Sequence, residues 1–207
     1  MRLINRIVFF VCIVLFTSSC TDEINKQNVN IETEIKDSVV TNMVYFQDTL
    51  ALQNIYFTIK VTRVGERSQI VIQPEGLEVK NAQLIVETND EVIGAEIEDL
   101  NSDNFPELFI YTVSNDSNRI GNVIAYSVND GKSVSEITFP NQSENKEAFE
   151  GYMGYDEFAV VETSLIRRFP VQKDTSHVTR QIQYKLIDGE SSRKLVIKNI
   201  WNYNKLK

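Results

Sequence analysis

From about Val39 onward, apolar and polar residues of this chain alternate with a period of two, and few folds accommodate that pattern. In the stretch 55–62, Ile55, Phe57, Ile59 and Val61 share one face and Thr58, Lys60 and Thr62 the other. This is the signature of a strand with one side on a core and one in water. Ile182, Tyr184 and Leu186 alternate with Gln181, Gln183 and Lys185 in the same way. Shorter runs fall at 68–73, 82–87, 91–98, 107–113, 122–128, 134–139 and 157–162, and a looser one passes through Leu195, Ile197, Asn199 and Trp201. Turn-forming clusters separate them: Val64-Gly65-Glu66, Pro74-Glu75-Gly76, Asn129-Asp130-Gly131 and Asp188-Gly189-Glu190. About eight to ten short strands at this spacing predict one all-β domain over 38–207, its antiparallel strands closed into a barrel or folded as a sandwich. One helical signal interrupts the pattern: after Asp37-Ser38, the residues Val39, Val40, Met43 and Val44 predict a short helix.

The first residues carry a different message. Arg2 and Arg6 precede an unbroken apolar run from Ile7 to Phe16, followed by Thr17-Ser18-Ser19-Cys20. Positive start, short apolar stretch and small residues make a secretory signal over 1–19. Ten residues at ~1.5 Å each cover only about half of a ~30 Å bilayer core. Ser18-Ser19-Cys20 resembles the lipobox of bacterial lipoproteins, with Thr17 where Leu is usual. The resemblance implies lipid attachment at Cys20 and residence in the bacterial cell envelope, in the periplasm or on the outer membrane. Residues 20–37 are polar, with five acids, and read as a flexible tether. Cys12 leaves with the signal, so the exported chain is expected to have no disulfide.

Composition removes several function classes. Twenty-nine acids face 21 basic residues, and loss of Arg2 and Arg6 takes the formal charge from −8 to −10. A nucleic-acid partner calls for the opposite sign. One His rules out a three-His metal centre, and no Gly-rich phosphate loop, Gly-x-Ser-x-Gly or His-Glu-x-x-His motif is present. His177 lies in the polar stretch Lys173–His177, expected to be a loop with no nucleophile beside it. The acid pairs Glu98-Asp99 and Asp156-Glu157 point to opposite faces if on strands, so neither makes a glycosidase couple. No cofactor and no catalytic residue is expected.

The densest polar segment is Asp99 to Glu107. Asp99, Asn101 and Asp103 have the 1, 3, 5 spacing of a calcium loop, with Glu107 at position 9. Position 12 is Ile110 and position 6 is Asn104, so the full twelve-residue pattern fails. The other reading, an Asx-type turn whose side chains cap backbone N–H groups, is the one adopted.

Four segments in order then resemble the periplasmic inhibitors of invertebrate-type lysozyme: Asp99-Leu-Asn-Ser-Asp-Asn-Phe-Pro-Glu-Leu108, Gly151-Tyr-Met-Gly-Tyr-Asp-Glu-Phe-Ala-Val160, Leu165-Ile-Arg-Arg-Phe-Pro-Val171 and Arg180-Gln-Ile-Gln-Tyr-Lys-Leu186. The likeness spans roughly Ile55 to Tyr203, and 151–171 is its most specific part. It implies an exported β-protein that blocks a lysozyme cleft with a loop carrying Ser-Gly-x-Tyr. The matching loop here reads Ser114-Asn-Asp-Ser117-Asn118-Arg119-Ile120-Gly121. Ser117 keeps the Ser, Asn118 stands for the Gly and Ile120 for the Tyr, so an aromatic hydroxyl is missing. The resemblance thus implies a lysozyme partner met through Ser117, Asn118, Arg119, Ile120 and Gly121, and membrane contact through the lipid at Cys20. A homodimer is compatible with it. The alternative is an envelope lipoprotein that binds calcium or carbohydrate and inhibits no lysozyme.

Overall fold

The structure, a computed structural model, describes residues 43–173 and 176–204. The signal over 1–19, Cys20, the tether over 20–37, and Val39 and Val40 of the expected helix lie outside the described residues.

Twelve strands among the described residues form three four-stranded antiparallel sheets. The first sheet contains β1 (Met43–Leu52), β2 (Ile55–Val64), β3 (Arg67–Glu75) and β4 (Leu84–Thr88), in that order. The second contains β5 (Glu91–Glu98), β6 (Glu107–Val113), β7 (Gly121–Asn129) and β8 (Ser133–Glu136). The third contains β9 (Glu157–Val161), β10 (Ser164–Lys173), β11 (Ser176–Ile187) and β12 (Lys194–Tyr203). Within each sheet every strand pairs with its neighbour in sequence, so each sheet is a meander.

Strand β6 explains how the sheets pack. All seven of its residues are buried. Leu108 and Ile110 meet Phe57, Ile59, Ile70 and Ile72 of the first sheet. Phe109 and Tyr111 meet Leu165, Phe169, Ile182 and Tyr184 of the third. The middle sheet is therefore covered on both faces, which is why its sequence runs apolar where one-sided strands alternate. The result is a three-layer sandwich, all-β as expected. Its sheets do not close, so the barrel option is not realised.

Two strands differ from expectation. Met43 and Val44 belong to β1, opposite Arg63 and Thr62 of β2, rather than to a helix. Their spacing of four from Val39 and Val40 is also a multiple of two, and backbone pairing with β2 decides between the periods. The turn from β1 to β2 is Gln53-Asn54, both at positive φ, a two-residue hairpin turn without the glycine that usually announces it.

Strand β10 is hidden by Arg167 among its inward residues and by Pro170. The Pro170 carbonyl accepts from the Met153 amide at 3.3 Å, so its ring nitrogen faces the side where β9, ending at Glu157 opposite Arg168, has already stopped. No ladder bond is lost. His177 sits in β11 opposite Gln172, not in a loop, because the β10–β11 hairpin continues pairing through it.

Candidate functional site

The ladder between β6 and β7 ends at Val113 opposite Gly121, leaving 114–120 as the connecting loop. Residues 115–120 are exposed. The loop closes on itself: the Asp116 carboxylate accepts from the amides of Asn118 at 2.9 Å and Arg119 at 3.2 Å. Ser114 Oγ accepts from the Ile120 amide and donates to Asp116. Arg119 is held at φ 45°, a left-handed conformation that costs a non-glycine residue on the order of 1 kcal/mol or more. The Ser117 hydroxyl and the Arg119 guanidinium have no partner among the described residues and point to solvent.

A second segment, Gly151–Asp156, clasps this loop. The Tyr155 hydroxyl donates to the Ser117 carbonyl at 2.9 Å, and the Tyr155 amide reaches the carbonyls of Asn118 at 3.1 Å and Arg119 at 3.2 Å. Gly154 passes so close that an added Cβ would lie 2.0 Å from the Asn118 carbonyl oxygen. Only glycine fits there. Tyr155 is itself left-handed, at φ 56°, so two strained residues hold each other through backbone hydrogen bonds.

Asp156 ties the clasp to the core. Its carboxylate accepts from the Gly121 amide at 2.7 Å, from the Tyr152 hydroxyl, and from Arg167 Nε at 2.6 Å. Both side chains of the Arg167–Asp156 pair are buried. Burial works against the Arg167 charge, but Asp156 outweighs it and raises the guanidinium above its usual range. Four rings surround that guanidinium, those of Phe149, Tyr152, Phe158 and Phe169, at 4.9–5.4 Å, adding cation–π attraction in a desolvated setting. Burial and then Asp156 push the Tyr152 hydroxyl pKa up. Gly121 is buried here, with room for no side chain between Asp156 and Phe158. Its lack of a side chain lets Asp156 approach. Sequence reasoning missed Tyr155, Asp156 and Arg167 as parts of this unit. The glycines at 151 and 154 were the available signal for a tight backbone approach.

The Asp99 loop lies at the other end of β6. Asp99 accepts from the amides of Asp103 at 3.1 Å and Asn104 at 2.9 Å, and Asp103 from that of Phe105 at 2.8 Å. These are the Asx-type caps that were expected. Arg193 enters from the β11–β12 connection, 2.5 Å from Asp103 and 3.8 Å from Glu107. A guanidinium thus stands among the carboxylates where a calcium reading would put the ion. Adding a chelator is expected to leave the melting temperature unchanged. Metal bound at 100 times Kd would contribute about 2.7 kcal/mol, so a calcium-dependent rise of several degrees would show the reading wrong.

Glu107 is buried, accepting from Leu100 N and Ser127 Oγ at 2.8 Å each. Burial pushes its pKa up to about 7, with the two hydrogen bonds pulling the other way. The folded protein therefore keeps a proton on Glu107 that the unfolded chain releases near pH 4.5. That contribution is fully present below pH 4.5 and is lost as pH rises through 7. Urea unfolding of the parent and of Glu107→Gln across this range should show the variant gaining on the parent with rising pH. A shift of this size corresponds to roughly 3 kcal/mol. A difference that stays flat with pH would contradict the assignment.

Compared with known protein families, curated proteins and solved structures, the chain matches none. Fold and site together define an all-β three-layer scaffold that presents one clasped hairpin loop.

Proposed function

We propose that this protein is an exported, lipid-anchored inhibitor of invertebrate-type lysozyme that blocks the enzyme's cleft with the loop 114–120 and performs no catalysis itself. One observation carries the reading. The most specific part of the family resemblance, beginning at Gly151, is the segment that clasps the loop in which the family carries its inhibitory residues. Sequence likeness and spatial contact thus converge on one unit from regions some 35 residues apart.

The chemistry is suited to the role. Ser117 and Arg119 offer a hydroxyl and a guanidinium to cleft carboxylates, and a charge-assisted bond is the stronger kind. A preformed loop avoids much of the ordering cost that binding would otherwise carry. The exported charge of −10 would steer the protein toward a basic enzyme at low salt. Retention on immobilised lysozymes of several types tests the reading: the invertebrate type should hold the protein, and equal passage through all columns would sink it.

Lipid anchoring has its own test. Cys20→Ala is expected to release the protein from membranes or block its processing, because one thiol carries the whole acyl attachment. Membrane fractionation as complete as the parent's would remove the lipoprotein reading.

A further inference from the structure

The three peptide units at the tip of the loop, from Ser117 to Ile120, are held at both ends. Asp116 takes the amides of Asn118 and Arg119, and Ser114 Oγ takes that of Ile120. On the carbonyl side one residue does all the holding. The Tyr155 amide donates to the carbonyls of Asn118 and Arg119, and the Tyr155 hydroxyl donates to that of Ser117 at 2.9 Å. With these amides and carbonyls engaged, the side chains are what the tip has left to offer a partner.

Tyr155 is an unusual residue for its place. Among the described non-glycine residues at positive φ it is the one aromatic, at 56°, where glycine or a short polar side chain costs less. Its two amide bonds to the loop are made by backbone and do not call for a tyrosine. The ring is 54% exposed, so core packing does not call for one either. The bond to the Ser117 carbonyl does, because it needs the phenol.

That bond decides which way the Ser117–Asn118 peptide faces. Its carbonyl is turned onto the clasp and its N–H onto Asp116. A flip of this peptide would break both bonds and turn the carbonyl oxygen away from the clasp, among the exposed groups of the tip. An oxygen lone pair there would repel the carboxylates that Ser117 and Arg119 are suited to meet.

We propose, resting on the reading of this loop as a lysozyme inhibitor, that Tyr155 is its positioning residue: the hydroxyl keeps the Ser117 carbonyl on the clasp and the loop in the form that accepts a carboxylate-bearing cleft. Tyr155 acts through the loop and does not itself touch the enzyme. This fixes a kinetic signature. A loop that is flipped part of the time associates more slowly in proportion to its competent fraction, whereas the complex, once formed, dissociates at the same rate.

The test is Tyr155→Phe in the exported protein, with association and dissociation rates measured on an invertebrate-type lysozyme. Loss of one neutral hydrogen bond should slow association about three- to tenfold, with dissociation and melting temperature as in the parent. Amide exchange in the free variant gives a readout without the enzyme: the Asn118 amide should exchange faster, and the Gly121 amide, held by Asp156, should not. Equal association rates in variant and parent overturn the proposal. Faster dissociation at unchanged association also does, since Tyr155 would then be a direct contact. Lost protection at Gly121 with a lower melting temperature would make it a structural residue and overturn the proposal too. If the parent itself does not bind the enzyme, the inhibitor reading falls and takes this inference with it.

Discussion

Replacing Asp156 with Ala should lower stability by about 3–5 kcal/mol, the largest single effect expected in this molecule. The substitution leaves the Arg167 guanidinium buried and charged without its carboxylate, and the cost of such an ion exceeds that of losing an exposed pair severalfold. The four surrounding rings cannot accept its N–H groups as a carboxylate does. In a domain of this size the melting temperature should fall by roughly 6–20 °C. Combining Asp156→Asn with Arg167→Met removes both charges and should be less damaging than Asp156→Ala alone. Amide exchange supplies a second readout: the Gly121 amide loses its acceptor, so protection at the base of the loop should drop. A stability loss under about 1 kcal/mol would mean that the pair does not organise the clasp.

The second large effect concerns the loop itself. Asn118→Gly together with Ile120→Tyr restores the Ser-Gly-x-Tyr pattern of the family that the loop resembles. The Ile120 side chain is 37% exposed, and its amide and carbonyl both pair with Ser114. A tyrosine can therefore project outward without disturbing the turn. One added hydrogen bond to a charged cleft residue contributes ~1.5–3 kcal/mol, so inhibition should tighten roughly ten- to hundredfold. Inhibition constants for the double variant and parent, measured side by side, decide the matter. No gain would mean that position 120 does not reach the cleft.

How much of this was legible in the sequence follows from what each residue has to reveal. Strand β2 could be read because Ile55, Phe57, Ile59 and Val61 face a core and their neighbours face water. The run Leu108–Tyr111 could be placed as a strand, but only the structure shows that it is covered on both sides. Strand β10 was obscured because a buried Arg167 looks like a surface residue in a list of letters. Its meaning depends on Asp156 and four rings brought in from elsewhere. The loop position was readable from its flanking strands. Its clasp was not, since the contact of Tyr155 with Ser117 joins residues 38 apart with no periodic signal. Likewise, the 1, 3, 5 spacing at Asp99 suggested a cation, and the cation present is the side chain of Arg193, 90 residues from Asp103.

The role proposed for the clasped loop 114–120 is to enter a lysozyme cleft. Titrating an invertebrate-type lysozyme with the exported protein, while following cell-wall hydrolysis, tests it most directly. The expected result is saturable loss of activity that Ser117→Ala combined with Arg119→Ala weakens by tenfold or more, with the variant's melting temperature unchanged. Full lysozyme activity at saturating protein, or equal inhibition by parent and double variant, would contradict the account.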